Sequence, residues 1–227
     1  MQKLRRDQKQ FVGVTIHLGF NRIKFIWPQA RYIYLYRDGR DVANSIVNEG
    51  WAGNSYVAAE QWLSAEHDWC DLRKGLADEQ WIEVQYEKLI SQPEEELKRI
   101  CTFMGVEYSD KMFDYTQHST YTLPDARLNY QWKRRMREQE LGLLEYKIGT
   151  RLLARGYEPS GHPAISPSPI RNSFLTLHSD WHKFFWRVNR FGMPLTLSSA
   201  IAKRLGIKEL DAKLQAKIDG VIDSHLK

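Results

Sequence analysis

Arg37 and Ser45 stand eight residues apart in the run Arg37-Asp38-Gly39-Arg40-Asp41-Val42-Ala43-Asn44-Ser45, and together they suit the binding of a phosphate. A guanidinium presents a planar fork to two oxygens of one phosphate, and a serine hydroxyl adds a donor from the side. The stretch leading into them reads RYIYLY from Arg31 to Tyr36. It is aromatic and β-branched without clean alternation, which predicts a strand buried on both faces. Asp38 is placed to cap a helix beginning at the tight turn of Gly39, and Asp41, three residues on, completes a capping box. A strand that runs into a helix in this way aims free N–H groups and the positive end of the helix dipole at an anion. The same residues are equally consistent with an Arg37 paired to Asp38 or Asp41 and a Ser45 that only faces solvent.

The elements that must position these groups follow from periodicity. Ala59, Trp62, Ala65, Trp69 and Leu72 recur at threes and fours, predicting a helix over 56–74, and Trp81 to Tyr86 reads as a short strand. Pro93 suits the first position of a helix whose opening Glu94, Glu95 and Glu96 complement the dipole, and whose apolar face of Leu97, Ile100, Cys101 and Met104 ends at Gly105. A further helix over 138–155 places Leu141, Leu144, Ile148 and Leu152 on one face and stops at Gly156. Strands alternating with helices imply an α/β fold with a parallel sheet. Residues 160–170 are a Pro/Ser-rich linker, semi-extended and outside any core, dividing an α/β domain over 1–159 from a basic helical appendage over 171–227.

Two segments carry a resemblance. YIYLYRDGRDVANS, followed by VQYEKLISQPEEELKRICTFMGVEY, resembles two consecutive signature blocks of the sulfotransferase family that uses 3′-phosphoadenosine 5′-phosphosulfate (PAPS), in bacterial-type form. The resemblance covers residues 11 to about 159. It implies that Arg37 and Ser45 hold the 3′-phosphate and that Tyr86, in Tyr86-Glu87-Lys88-Leu89, contacts the adenine. By analogy with bacterial and tyrosylprotein members, Ser119 and Lys133 reach the cofactor phosphates. His17 lies near the position where many members carry the catalytic base. The reaction implied is in-line transfer of a sulfuryl group to a hydroxyl or amine acceptor, with no metal. The histidines show no ligand spacing with Cys or carboxylates.

One feature of the family is not found. Its members open with a strand and a loop that cradles the 5′-phosphosulfate, and nothing in residues 1–30 resembles them. The fold expected is therefore a P-loop-type parallel sheet flanked by helices, with the first strand and P-loop absent. A truncated start is the preferred account; a partner chain supplying the loop is another, and a catalytically inert adenosine-phosphate-binding or interaction module is a third. Without the loop, weak or no transfer is expected of the chain as given. Unpaired strand edges, exposed apolar surface and a tendency to form homo-oligomers are expected too.

Composition bounds the remaining possibilities. The 227 residues hold 33 Lys+Arg and 28 Asp+Glu, a formal net charge of +5, with 42% hydrophobic residues. That content excludes disorder as the main state, and no apolar run is long enough to span a membrane. Residues 1–159 carry 23 basic and 23 acidic side chains, and residues 160–227 carry 10 and 5. The excess charge therefore belongs to the appendage. There Phe174, Leu177, Trp181, Phe184, Phe185 and Val188 form an apolar helical face, expected to pack on the domain or another subunit, with peripheral membrane contact as the alternative. Nucleic-acid binding is not indicated, because the charge is modest and no binding motif accompanies it. Two cysteines and no secretory signal make a reducing, cytoplasmic location the expectation.

Overall fold

The computed structural model describes residues 11–17, 19–117 and 119–225. Strand β1 (Tyr32–Tyr36) leads into helix α1 (Gly39–Asn48), then α2 (Ser55–Arg73), then strand β2 (Trp81–Gln85). The two strands are parallel and in register from Tyr32 opposite Trp81 to Tyr36 opposite Gln85. Helices α3 (Tyr86–Ser91), α4 (Pro93–Met104) and α5 (Glu138–Ala154) follow, then α6 (Pro169–Phe191), α7 (Met193–Leu205) and α8 (Lys208–His225). Among the described residues the sheet has these two strands, and only irregular backbone and short helical turns precede β1.

The side chains of β1 alternate. Tyr32, Tyr34 and Tyr36 turn toward the helices, and Tyr34 stacks on Trp69 of α2 with ring centroids 4.5 Å apart. Ile33 and Leu35 are exposed on the opposite face. The expectation of a strand buried on both faces is corrected for β1: its tyrosine face is covered by helices, while Ile33 and Leu35 stay exposed beside Val84 of β2, which lies opposite Leu35 and is buried. The main core lies between α1, α2 and α5, where Ala43, Ala59, Trp62, Leu144, Ile148 and Leu152 interdigitate. Gly39 is required by this packing, since a Cβ there would stand 2.8 Å from the Trp62 ring. The strand-to-helix turn is thereby pressed onto α2.

Asp38 caps α1, accepting from the Arg40 amide at 2.9 Å. The capping box does not form. The Asp38 amide donates to Glu87, and the Asp41 carboxylate is taken by the amide of Trp132 at 2.8 Å and by Arg37. Partners distant in sequence outcompete the local one because both carboxylates are buried, where donors of any origin are needed.

The segment after α5 is irregular but not detached. Glu145 accepts from the amide and hydroxyl of Ser160, and the Ile165 amide donates to Gly142 at 2.8 Å. The chain is held along α5 here, where Gly142 lets it approach. Helix α6 then lies against the loop between α1 and α2. The Gly53 amide donates to the buried Ser179 hydroxyl at 2.9 Å, Asn54 Nδ2 donates to the Leu175 carbonyl at 2.8 Å, and Trp186 lies against Gly50, whose φ is +72°. The docked face is thus Leu175, Ser179 and Trp186, and the apolar face of Phe174, Leu177, Trp181 and Phe185 points away from it. Of the face expected to pack on the domain or another subunit, Phe174, Leu177, Trp181 and Phe185 are exposed, while Phe184 and Val188 are half-buried.

Gly53→Ala tests the docking. The added Cβ would meet the Ser179 Cα at 2.6 Å, a backbone atom that can yield only if α6 moves. A loss of about 1–3 kcal/mol is expected, together with faster amide exchange over residues 169–191. Unchanged exchange there would show that α6 does not depend on this approach.

Candidate functional site

Arg37 and Tyr86 follow directly on the C-terminal ends of β1 and β2, the edge of a parallel sheet at which ligands bind in α/β proteins. The Arg37 guanidinium lies over the Tyr86 ring, 4.3 Å from its centroid. Its Nη2 donates to the Asp41 carboxylate at 3.1 Å and to the Leu128 carbonyl at 2.8 Å. Its Nε is buried and makes no hydrogen bond. A buried guanidinium N–H without a partner is costly, so this donor is the clearest unfilled valence of the cluster.

The pairing of Arg37 with Asp41, one of the two alternatives open from sequence, is therefore present. It does not abolish the positive site. Asp41 also accepts from the amides of Gln131, at 3.3 Å, and Trp132, so its charge is shared among three donors. The segment from Asp125 to Trp132 is strapped across the site by these bonds. Leu128 accepts from Arg37, Asn129 Nδ2 donates to the Glu87 carbonyl at 3.1 Å, and Tyr130, next in the chain, takes a left-handed φ of 50°.

Beneath the strap is a buried charge network. Arg40 forms a two-pronged pair with Asp38, Nε to Oδ1 at 2.9 Å and Nη2 to Oδ2 at 2.7 Å, and its Nη1 reaches Glu145 at 2.6 Å. The Trp132 ring covers the Arg40 guanidinium at 3.7 Å, and its Nε1 donates to Asp38 at 3.0 Å. Glu87 accepts from the Asp38 amide and from the Tyr157 hydroxyl, each at 3.0 Å. Burial pushes the Glu87 carboxyl up from its ordinary value, against the pull of these bonds. Burial, with Glu87 beside it, also pushes the Tyr157 hydroxyl up, so that it remains a donor.

The other residues singled out from sequence are distributed differently. Ser45 is exposed two turns into α1, and its hydroxyl makes no hydrogen bond to a described residue. Lys133 is exposed beside the strap, its Nζ 5.2 Å from the Tyr130 ring centroid and 5.5 Å from that of Trp132. Ser119 is exposed and, among the described residues, accepts only from the amide of Tyr121, at 3.2 Å. His17 lies exposed in irregular backbone. The structure brings Arg37 and Tyr86 into contact and sets Lys133 at the strap beside them. It shows no contact of Ser119 or His17 with the cluster.

Sequence reasoning missed Arg40, Asn129, Trp132, Glu145 and Tyr157 as parts of this site. The one visible signal was the density of charge in Arg37-Asp38-Gly39-Arg40-Asp41. Two arginines and two aspartates within five residues at a tight turn, once buried, must find partners elsewhere.

Comparison with known proteins adds an independent finding. Residues 14–110 match the model of a family described as the sulfotransferase family. Protein-tyrosine sulfotransferase A of Caenorhabditis elegans is 28% identical over 101 residues, 42% of this chain and 27% of that protein. Protein-tyrosine sulfotransferase of Drosophila melanogaster is 25% identical over 113 residues, 46% of this chain and 22% of that protein. The chain thus spans about a quarter of the length of these relatives. Among solved structures, the sulfotransferase domain from the Synechococcus PCC 7002 olefin synthase aligns at 20% identity with a TM-score of 0.48, covering 58% of this chain and 55% of that one.

Proposed function

We propose that the strand-end cluster of this chain, whose residues 14–110 match the sulfotransferase family model, binds the 3′-phosphoadenosine portion of PAPS in transfer of a sulfuryl group to a hydroxyl or amine acceptor. The observation that carries this reading is the Arg37 guanidinium, stacked on Tyr86 at the C-terminal ends of both strands with its Nε buried and unpartnered. A phosphate oxygen is the acceptor such a donor lacks. Ser45, with a free exposed hydroxyl on α1, supplies a second donor, and Tyr86 supplies an aromatic ring for the adenine. Lys133, next to the strap, adds a cation at the same end of the sheet.

PAPS, when bound, brings both the sulfuryl group and its leaving group. This chain's residues then hold the nucleotide's phosphate and orient it. Asp41 and the strap hold the Arg37 side chain by two hydrogen bonds, so little rotamer freedom remains to be lost on binding. The names of the relatives point to tyrosine in proteins as their acceptor, which makes a phenolic hydroxyl the first acceptor to assay.

Calorimetry with adenosine 3′,5′-bisphosphate tests the site without requiring turnover. Losing hydrogen bonds to a charged group costs about 1.5–3 kcal/mol, so Arg37→Ala is expected to weaken binding by about 10- to 100-fold. Equal affinity of the wild type and Arg37→Ala, or no affinity in the wild type, overturns the assignment.

A further inference from the structure

We propose that the outward face of α6, together with α7, docks on an anionic lipid surface and lies in its interface as an amphipathic platform. Three observations converge on this. The first is the inverted orientation of α6. Its face of Leu175, Ser179 and Trp186 is anchored to the Gly50 to Asn54 loop by Gly53 N–H to Ser179 and by Asn54 Nδ2 to Leu175. On the opposite side, Ile170, Phe174, Leu177, Trp181 and Phe185 remain between 52% and 84% exposed. A helix on a soluble core ordinarily does the reverse. At about 1.5 Å per residue this stripe runs for about 22 Å, far beyond the scattered exposed apolar residues normal for a surface.

The second observation is charge. Helices α6 and α7 hold Arg171, Lys183, Arg187, Arg190, Lys203 and Arg204 against a single acid, Asp180, a balance of 6 − 1 = +5 that equals the net charge of the whole chain. With about 100° of turn per residue, Arg171 and Arg187 fall on the two flanks of the apolar stripe, where they would meet headgroups as the stripe enters the acyl boundary. A second copy of this chain is a poorer occupant, because pairing two such faces brings two +5 surfaces together. Lipid with negative headgroups satisfies the apolar stripe and the charge at once.

The third observation is composition of the stripe and its neighbour. Phe174, Trp181 and Phe185 are aromatic, the class that favours the membrane interface. On α7, Leu197, Ile201 and Leu205 form an exposed row at four-residue spacing, while Thr196, Ser199 and Ala202 are buried. No described helix is long and apolar enough to cross a membrane. The geometry therefore suits a helix lying in the interface rather than a span. The proposal is independent of the nucleotide site, which sits at the strand ends and uses none of these residues.

The test is co-sedimentation of the full chain with vesicles of phosphatidylcholine alone or of phosphatidylcholine with phosphatidylserine. The wild type is expected to bind the serine-containing vesicles, to be released by raised salt, and to bind neutral vesicles at least about tenfold more weakly. Phe174→Ser combined with Trp181→Ser, both at exposed positions, is expected to reduce binding by about tenfold or more. The melting temperature should change little. Trp181→Phe keeps the apolar surface and should keep the binding, while removing a component of tryptophan fluorescence that brominated lipid quenches in the wild type. Absence of binding to anionic vesicles, or equal binding by the double variant, overturns the proposal. So does a wild-type dimer that the double variant dissolves without any vesicle affinity, since the face would then be a contact between copies.

Discussion

Arg40→Met is expected to lower the melting temperature by about 6–20 °C, the largest effect of any single change at the strand-end site. The Arg40 side chain is 1% exposed and neutralises two carboxylates, Asp38 at 0% and Glu145 at 8%. Methionine has comparable length but no charge, so both acids would stay buried with fewer donors. Removing one partner of a buried ion pair costs about 3–5 kcal/mol, against a total stability of about 5–15 kcal/mol for a domain. At about 2–4 °C per kcal/mol for a chain of this size, the shift is readily measured by calorimetric or circular-dichroism melting. Glu145→Gln should cost far less, because Arg40 would keep both bonds to Asp38 and Gln still accepts one bond. A melt of Arg40→Met within about 3 °C of the wild type would show that the network contributes specificity and little stability.

Arg155→Met should be comparably damaging, with a signature in pH. Arg155 joins α5 to α2 and β2 through Glu66 at 2.5 Å and Glu83 at 2.8 Å, and its guanidinium lies over the rings of Tyr36 and Tyr34 at 4.7 and 5.4 Å. Without it, Glu66 retains only the Tyr34 hydroxyl as a side-chain partner. The expected loss near neutral pH is again about 3–5 kcal/mol. Burial alone would raise the Glu83 carboxyl, but hydrogen bonds from Arg155 and Trp69 outweigh it and hold the group below its ordinary 4.5. A lowered carboxyl contributes stability that is present above its unfolded pKa and lost as pH falls through the folded value. The gap between wild type and Arg155→Met should therefore be widest near neutrality and should narrow below about pH 4.5. Glu87 works in the opposite sense, since a raised carboxyl contributes stability below its unfolded pKa that is lost as pH rises through the folded one. A gap that stays constant from pH 7 down to acid would rule out the ion pair as its source.

Much of the architecture was legible because it is written at short range. The apolar recurrence in Trp62, Trp69 and Leu72 placed α2 within a residue of its observed ends, and Leu144, Ile148 and Leu152 marked the face of α5 that enters the core. Gly105 and Gly156 lie where α4 and α5 stop, in the left-handed conformation such endings use. The contact of Arg37 with Tyr86 was not read from the sequence, which gave the two only as separate contacts of one nucleotide, with the 3′-phosphate and with the adenine. Less legible were the faces. Alternation along RYIYLY is masked by its aromatics, so its half-exposed state could not be told from full burial. In α6 the apolar stripe was evident, but its direction was not.

What this sequence determined by itself is most of the elements, the position of Arg37 and Ser45 about a strand-to-helix turn, and the concentration of charge beyond residue 160. All three depend on residues within one or two turns of each other, where covalent connection does most of the positioning. Tertiary structure alone decided which acids meet which arginines. Arg40 and Glu145 lie 105 residues apart, and Asp41 and Trp132 lie 91 apart. Those partnerships carry no local pattern, because a buried charge accepts any donor that packing delivers. For the same reason only the fold could leave the Arg37 Nε without a partner and turn the apolar side of α6 outward: Gly53 and Ser179 took the space against the core, and the stripe was left for another surface.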